Sequence, residues 1–91
     1  MLFLTTYHVR PFLTKAEVAA MMGVFAEVGD APGVQAHYVH TDGSGGTLLT
    51  ENDDPTVAYR HLLNFGEWME FDTKVVLPVD DAVPHILDAL S

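Results

Sequence analysis

The chain has 91 residues, with thirteen acidic side chains against four basic ones, a formal charge of −9 at pH 7 and no cysteine. That length makes one domain. The shortage of Lys and Arg argues against nucleic-acid backbones and anionic membrane surfaces, and the lack of cysteine removes disulfides, thiol nucleophiles and zinc–thiolate sites.

Apolar residues make up 48% of the sequence, an ordinary globular fraction. A domain this small buries only a thin core, so pairing with a second copy is expected. The start, Met1-Leu-Phe-Leu-Thr-Thr6, lacks a basic leader region and runs straight into a strand pattern. No apolar run approaches the roughly 20 residues needed to span a bilayer. A cytoplasmic protein is expected.

Residues 2–10 are rich in β-branched and aromatic types and read as a strand, ended by Pro11. Phe3, Thr5, Tyr7 and Val9 share one face; Leu4, Thr6 and His8 share the other. Thr14-Lys-Ala-Glu17 is a capping box that opens a helix running to about Val28. Val18, Met21, Met22, Phe25 and Val28 recur at helical spacing as one apolar stripe, which core packing explains better than a cofactor. Gly29-Asp-Ala-Pro-Gly33 stops the helix.

A second strand covers 34–41. The turn Asp42-Gly-Ser-Gly-Gly46 sends the chain back as a third strand, 47–51, antiparallel to the second. A phosphate loop would need a following Gly-Lys-Ser/Thr and a helix, and neither is present. Asp53-Asp54-Pro55 opens a second helix running to about Asn64. Capping accounts for the aspartates better than metal binding. Ala58, Leu62 and Phe65 form its inward row. Residues 68–78 read as a fourth strand, and Val83, Ile86, Leu87 and Leu90 mark a short C-terminal helix.

The order β-α-β-β-α-β is the ferredoxin-like split βαβ arrangement: α+β, with a four-stranded antiparallel sheet and two helices on one face. The opposite face is left uncovered. The helices belong on the greasier set, Phe3, Tyr7 and Val9 with Phe71, Val75 and Leu77. Strand parity then puts Thr6, His8, Glu51, Asp72 and Lys74 on the uncovered face, and Gln35, His37 and Thr41 with them in strand two.

Several segments together resemble a known family: Tyr7 before Arg10-Pro11, Asp42-Gly-Ser-Gly-Gly46, and Glu51 followed by Asp53-Asp54-Pro55. Tyr59, Phe65-Gly-Glu-Trp-Met-Glu-Phe71 and Pro78-Val79 complete the set. The chain resembles a domain-of-unknown-function family of small bacterial proteins with dimeric α/β-barrel, ferredoxin-like architecture. The resemblance implies that fold and a homodimer. It implies no established reaction, because fold alone does not define function. Tyr7, Tyr38 and Phe65 depart from the tryptophans of that family.

For chemistry, His8 is the candidate general acid/base, since imidazole titrates near neutrality and parity places it on the uncovered face. Thr6, His37, Glu51 and Asp72 are the candidate ligand contacts. His37 and His40, three apart on a strand, point to opposite faces and do not form a two-histidine metal site, so no metal and no bound cofactor are expected. His61 and His85 are expected to be exposed. The expected function is a homodimer binding a small organic molecule in a pocket, with cofactor-free turnover left open. The alternatives are a non-catalytic accessory module and an acidic mimic of nucleic acid.

Overall fold

The structure is a computed structural model that describes residues 1–91. Its elements are β1 (Leu2–Val9), α1 (Lys15–Val28), β2 (Val34–Val39), β3 (Gly45–Glu51), α2 (Pro55–Leu63), β4 (Met69–Val76) and α3 (Val79–Ala89). The four strands make one sheet in the order β2-β3-β1-β4. Every neighbouring pair is antiparallel. This is the ferredoxin-like arrangement expected from the sequence.

Local chemistry explains the boundaries. The Thr14 hydroxyl accepts the Glu17 amide at 3.1 Å and the Glu17 carboxylate accepts the Thr14 amide at 3.2 Å, a reciprocal cap on α1. Asp54 caps α2 through the Thr56 amide at 2.9 Å and the Thr56 hydroxyl at 2.8 Å, with Pro55 following it. Thus one of the paired aspartates is a cap, and no cluster of three or more His, Asp or Glu side chains is placed to hold a metal ion. The C-terminal helix is longer than its apolar spacing suggests. It starts at Val79 and carries Pro84 within it.

The face expected to lie inward is buried in β1 but open along much of β4. Phe3, Thr5 and Tyr7 are buried. Phe71 pairs with Tyr7 on the same side and is half-buried, whereas Val75, opposite Phe3, and Leu77, just past the strand, are 61% and 64% exposed. Leu4 and His8, on the opposite face, are exposed.

Strand β2 departs from simple alternation. Val34 pairs with Thr50, yet Ala36 pairs with Leu49 and His37 with Leu48, because a bulge lies between Val34 and Ala36. One extra residue reverses the parity of everything after it. His37 therefore turns toward the helices, where Leu48 is buried. Its expected place on the uncovered face is corrected by this bulge.

The core is thin, as the length implies. Only 11 of the 91 residues are buried, and the exposed area is 6423 Å². A compact monomer of this mass would expose roughly 5,200 Å². The radius of gyration, 15.9 Å, likewise exceeds the roughly 12 Å of a compact chain of this length. Helix α3 buries none of its residues, and Ile86, Leu87 and the C-cap residue Leu90 stand exposed.

Two threonines inside the core are in opposite situations. Thr5 Oγ1 shares a hydrogen bond of 3.0 Å with Thr73 Oγ1. Thr50 Oγ1 is buried without a partner. A buried hydroxyl lacking a partner costs about 1–3 kcal/mol, while a satisfied one contributes about 1 kcal/mol. We expect Thr50→Val to stabilise the protein by about 1 kcal/mol and Thr5→Val to destabilise it by a similar amount, both read from urea unfolding midpoints.

Candidate functional site

Between the sheet and helices α1 and α2 lies a cleft of about 570 Å³. Helix α1 lines it with Met21, Met22 and Phe25, and α2 and its end with His61, Leu62 and Phe65. The sheet contributes Tyr7, Leu48, Met69 and Phe71. Thus the methionines of the α1 stripe, expected to be core, wall an open space. Phe25 and Phe65 face one another with ring centroids 6.5 Å apart, joining the two helices over the sheet. None of the four basic side chains lines the cleft.

The polar groups of the cleft converge into one chain. Tyr7 Oη lies 2.8 Å from His37 Nε2. His37 Nδ1 lies 3.1 Å from both carboxylate oxygens of Asp30. Asp30 Oδ1 also accepts the Ala31 amide at 2.8 Å, which orients the carboxylate. A carboxylate can only accept, so Nδ1 of the neutral imidazole carries the hydrogen and Nε2 is bare. With the ring in that form, the Tyr7 hydroxyl donates to Nε2. Burial, and then the Asp30 charge, push the Tyr7 phenol above its ordinary 10.0, so it stays protonated at neutral pH.

This contact spans three strands. Tyr7 on β1 pairs with Gly46 on β3, and Gly46 pairs with Val39 on β2. The Tyr7 ring lies across Gly46, and a Cβ at that position would collide with Cζ and Oη of Tyr7 and with the Tyr38 carbonyl. The glycine-rich turn that first suggests phosphate binding thus supplies a gap in the sheet surface. Through it a tyrosine reaches the edge strand.

Two more histidines flank this hydrogen-bonded chain. His61, expected to be exposed, is half-buried and packs on Phe65 at 5.6 Å. Burial lowers its pKa below 6.5; Asp30 opposes the shift and His37 adds to it. His40 hydrogen-bonds Thr47 Oγ1 at 2.9 Å and Ser44 Oγ at 3.3 Å, holding the β2–β3 turn.

The remaining sequence candidates lie elsewhere. Thr6 pairs with Asp72 and His8 with Glu70 on the uncovered face. Glu51 sits at the far end of that face, opposite Leu2, bound to the Met1 amino group. Asp72 pairs with Lys74 at 2.7 Å, both well exposed. Of the five candidates, only His37 lines the cleft. Tyr7, Asp30 and His61 complete that site. For Tyr7, inward parity and a facing glycine are the available signal. Asp30 sits inside a helix-stop motif that gives no hint of a histidine partner.

The fold and site define a small ferredoxin-like α+β domain with an apolar cleft and one embedded Tyr–His–Asp chain. The sequence matches the family described as Domain of unknown function (DUF3303) over residues 1–90, and the chain belongs to it. No curated protein matches it. Among solved structures, it is similar to that of Rv0793 from Mycobacterium tuberculosis at 16% identity. That match covers 85% of this chain and 94% of the other, with a TM-score of 0.46. No helix is long and apolar enough to cross a membrane.

The pKa shifts fix how stability follows pH. His61 binds its proton more weakly folded than unfolded, so stability falls as pH drops below the ordinary 6.5. Glu17 and Asp54 are held below their ordinary 4.5 and 3.8, chiefly by the Thr14 and Thr56 backbone hydrogen bonds respectively. Their contribution is present above those values and is lost as pH falls through the folded-state values. Thermal melts across pH should therefore show two descending steps on acidification, and His61→Gln should flatten the upper one while sparing the lower. Gly46→Ala should displace the Tyr7 ring and cost about 1–3 kcal/mol, and the nuclear Overhauser effects between the Tyr7 and His37 rings should vanish with it.

Proposed function

We propose that this protein binds a small, flat, largely apolar organic molecule in the cleft between the sheet and helices α1 and α2. The observation that carries this reading is the coincidence of an apolar cleft of about 570 Å³ with a convergent polar chain, Tyr7–His37–Asp30. Ligand sites are commonly concave, mostly apolar and of about 300–1,000 Å³, with a few placed polar groups. Aromatic rings and methionine thioethers suit flat, polarisable ligands. With Asp30 nearby and no Lys or Arg in the lining, the site favours neutral or cationic ligands over phosphates and carboxylates.

The binding unit in this reading is a cytoplasmic homodimer. Support comes from the apolar surface the single chain leaves open. Ile86 and Leu87 on α3 and Leu90 at its C-cap form an exposed apolar row. Phe12 is almost fully exposed and sits at φ 64°, a conformation costly for a bulky side chain. The uncovered sheet face presents Leu4, Leu49 and Val76 among its polar residues. A second copy with the same surplus can cover these patches about a two-fold axis. In this arrangement Thr6, His8 and Asp72 belong to the interface between copies.

The neutral fluorophore N-phenyl-1-naphthylamine tests the cleft directly. Saturable binding with enhanced fluorescence is expected, and Met21→Trp should weaken it at least tenfold while leaving the circular dichroism spectrum intact. Unchanged binding by that variant would remove the cleft from consideration. Sedimentation at micromolar concentration should give a dimer, and Leu87→Asp should shift it to monomer; a wild-type monomer would refute the pairing.

A further inference from the structure

We propose that the Tyr7–His37–Asp30 chain accepts a proton from an acidic hydroxyl of the bound molecule, a phenol or an enol. The proposal rests on the cleft reading above and adds the chemistry of the ligand. Asp30 fixes the hydrogen of the neutral His37 ring on Nδ1, so the Tyr7 hydroxyl spends its only hydrogen on Nε2 at 2.8 Å. What Tyr7 presents to the cleft is therefore a lone pair. A ligand group meeting it must be a donor, and an ether or carbonyl oxygen there finds no hydrogen bond.

The same arrangement moves a proton outward. The ligand O–H bond breaks and its proton goes to Tyr7 Oη. The original Tyr7 proton passes to His37 Nε2. The products are a ligand oxyanion bonded to the re-formed Tyr7 hydroxyl and an imidazolium held by the Asp30 carboxylate. Atoms and charge balance, and no oxidant or metal takes part. The exposure of the three groups follows that direction. Tyr7 is buried, the His37 side chain is 22% exposed and that of Asp30 36%.

The electrostatic surroundings suit the transfer. Helix α1 contributes only apolar side chains to the cleft, and β4 only Met69 and Phe71. The other titratable groups lining it are His61 from α2 and His40 after β2. The lowered pKa of His61 keeps it neutral at pH 7, so it adds no charge against an imidazolium at His37. The high pKa of Tyr7 keeps it a protonated carrier rather than a standing phenolate.

The test uses 4-nitrophenol, whose phenolate absorbs at longer wavelength than its neutral form, with 4-nitroanisole as the analogue lacking the donor. In the wild-type protein near neutral pH, close to the pKa of the free probe, bound 4-nitrophenol should show a phenolate-to-phenol ratio at least tenfold higher than the free probe. It should also bind about tenfold more tightly than the methyl ether. Tyr7→Phe and His37→Gln should both bind both probes, without the raised phenolate ratio and without the preference; Tyr7→Phe removes a single oxygen and preserves the ring packing. Asp30→Asn should reduce the ratio. If both probes bind equally and the phenolate ratio is not raised, or if Tyr7→Phe keeps it raised, the proton relay is refuted while the cleft stands. If neither probe binds, both are refuted.

Discussion

The hydrogen bond of 2.8 Å between Tyr7 and His37 requires three things of the sheet at once. Tyr7 must face inward from the central strand β1, Gly46 must leave the intervening strand without a side chain, and β2 must carry an extra residue so that His37 turns inward as well. The register of all three strands meets at this point. Without the bulge, His37 would stand on the opposite face, and Asp30 would have only the Ala31 amide to hold. The site is thus a consequence of strand pairing rather than of any local motif.

The same sheet has two unlike surfaces. Toward the helices it offers tyrosine, leucine and phenylalanine under a loose lid of α1 and α2, which leaves a cleft instead of a filled core. Away from them it offers Thr6, His8 and Asp72 interspersed with Leu4, Leu49 and Val76. With 11 residues buried, the chain has little reserve of stability. Anything that bound only the folded chain would add to that reserve.

Most of the fold is legible in the sequence because its signals are local. Thr14 and Glu17, Asp54 and Pro55, and the glycines of the 42–46 turn each act within a few residues, and they set the element order. The inward face of β1 follows from alternation. The bulge does not, because Val34-Gln-Ala-His37 contains no glycine or proline to mark it, and the irregularity arises only in pairing with β3. That one extra residue moves His37 across the sheet and gives Asp30 a partner that alternation alone would deny it. The expectation of an exposed His61 fails for a related reason: a polar residue in the middle of a helix reads as solvated unless the width of the gap beneath that helix is known. In α3, Pro84 obscures the start at Val79, since a proline more often marks a helix boundary than an interior position.

The account depends on the tautomer and orientation of one imidazole. Nitrogen-15 NMR of the His37 ring reports both, through the separate shifts of Nδ1 and Nε2 and through contacts to the Tyr7 ring protons. The structure requires a protonated Nδ1 and a bare Nε2 in the neutral ring, with His37 ring protons close to those of Tyr7. A ring protonated on Nε2 when neutral, or one with contacts to Leu49 and Thr6 instead of Tyr7, would contradict it.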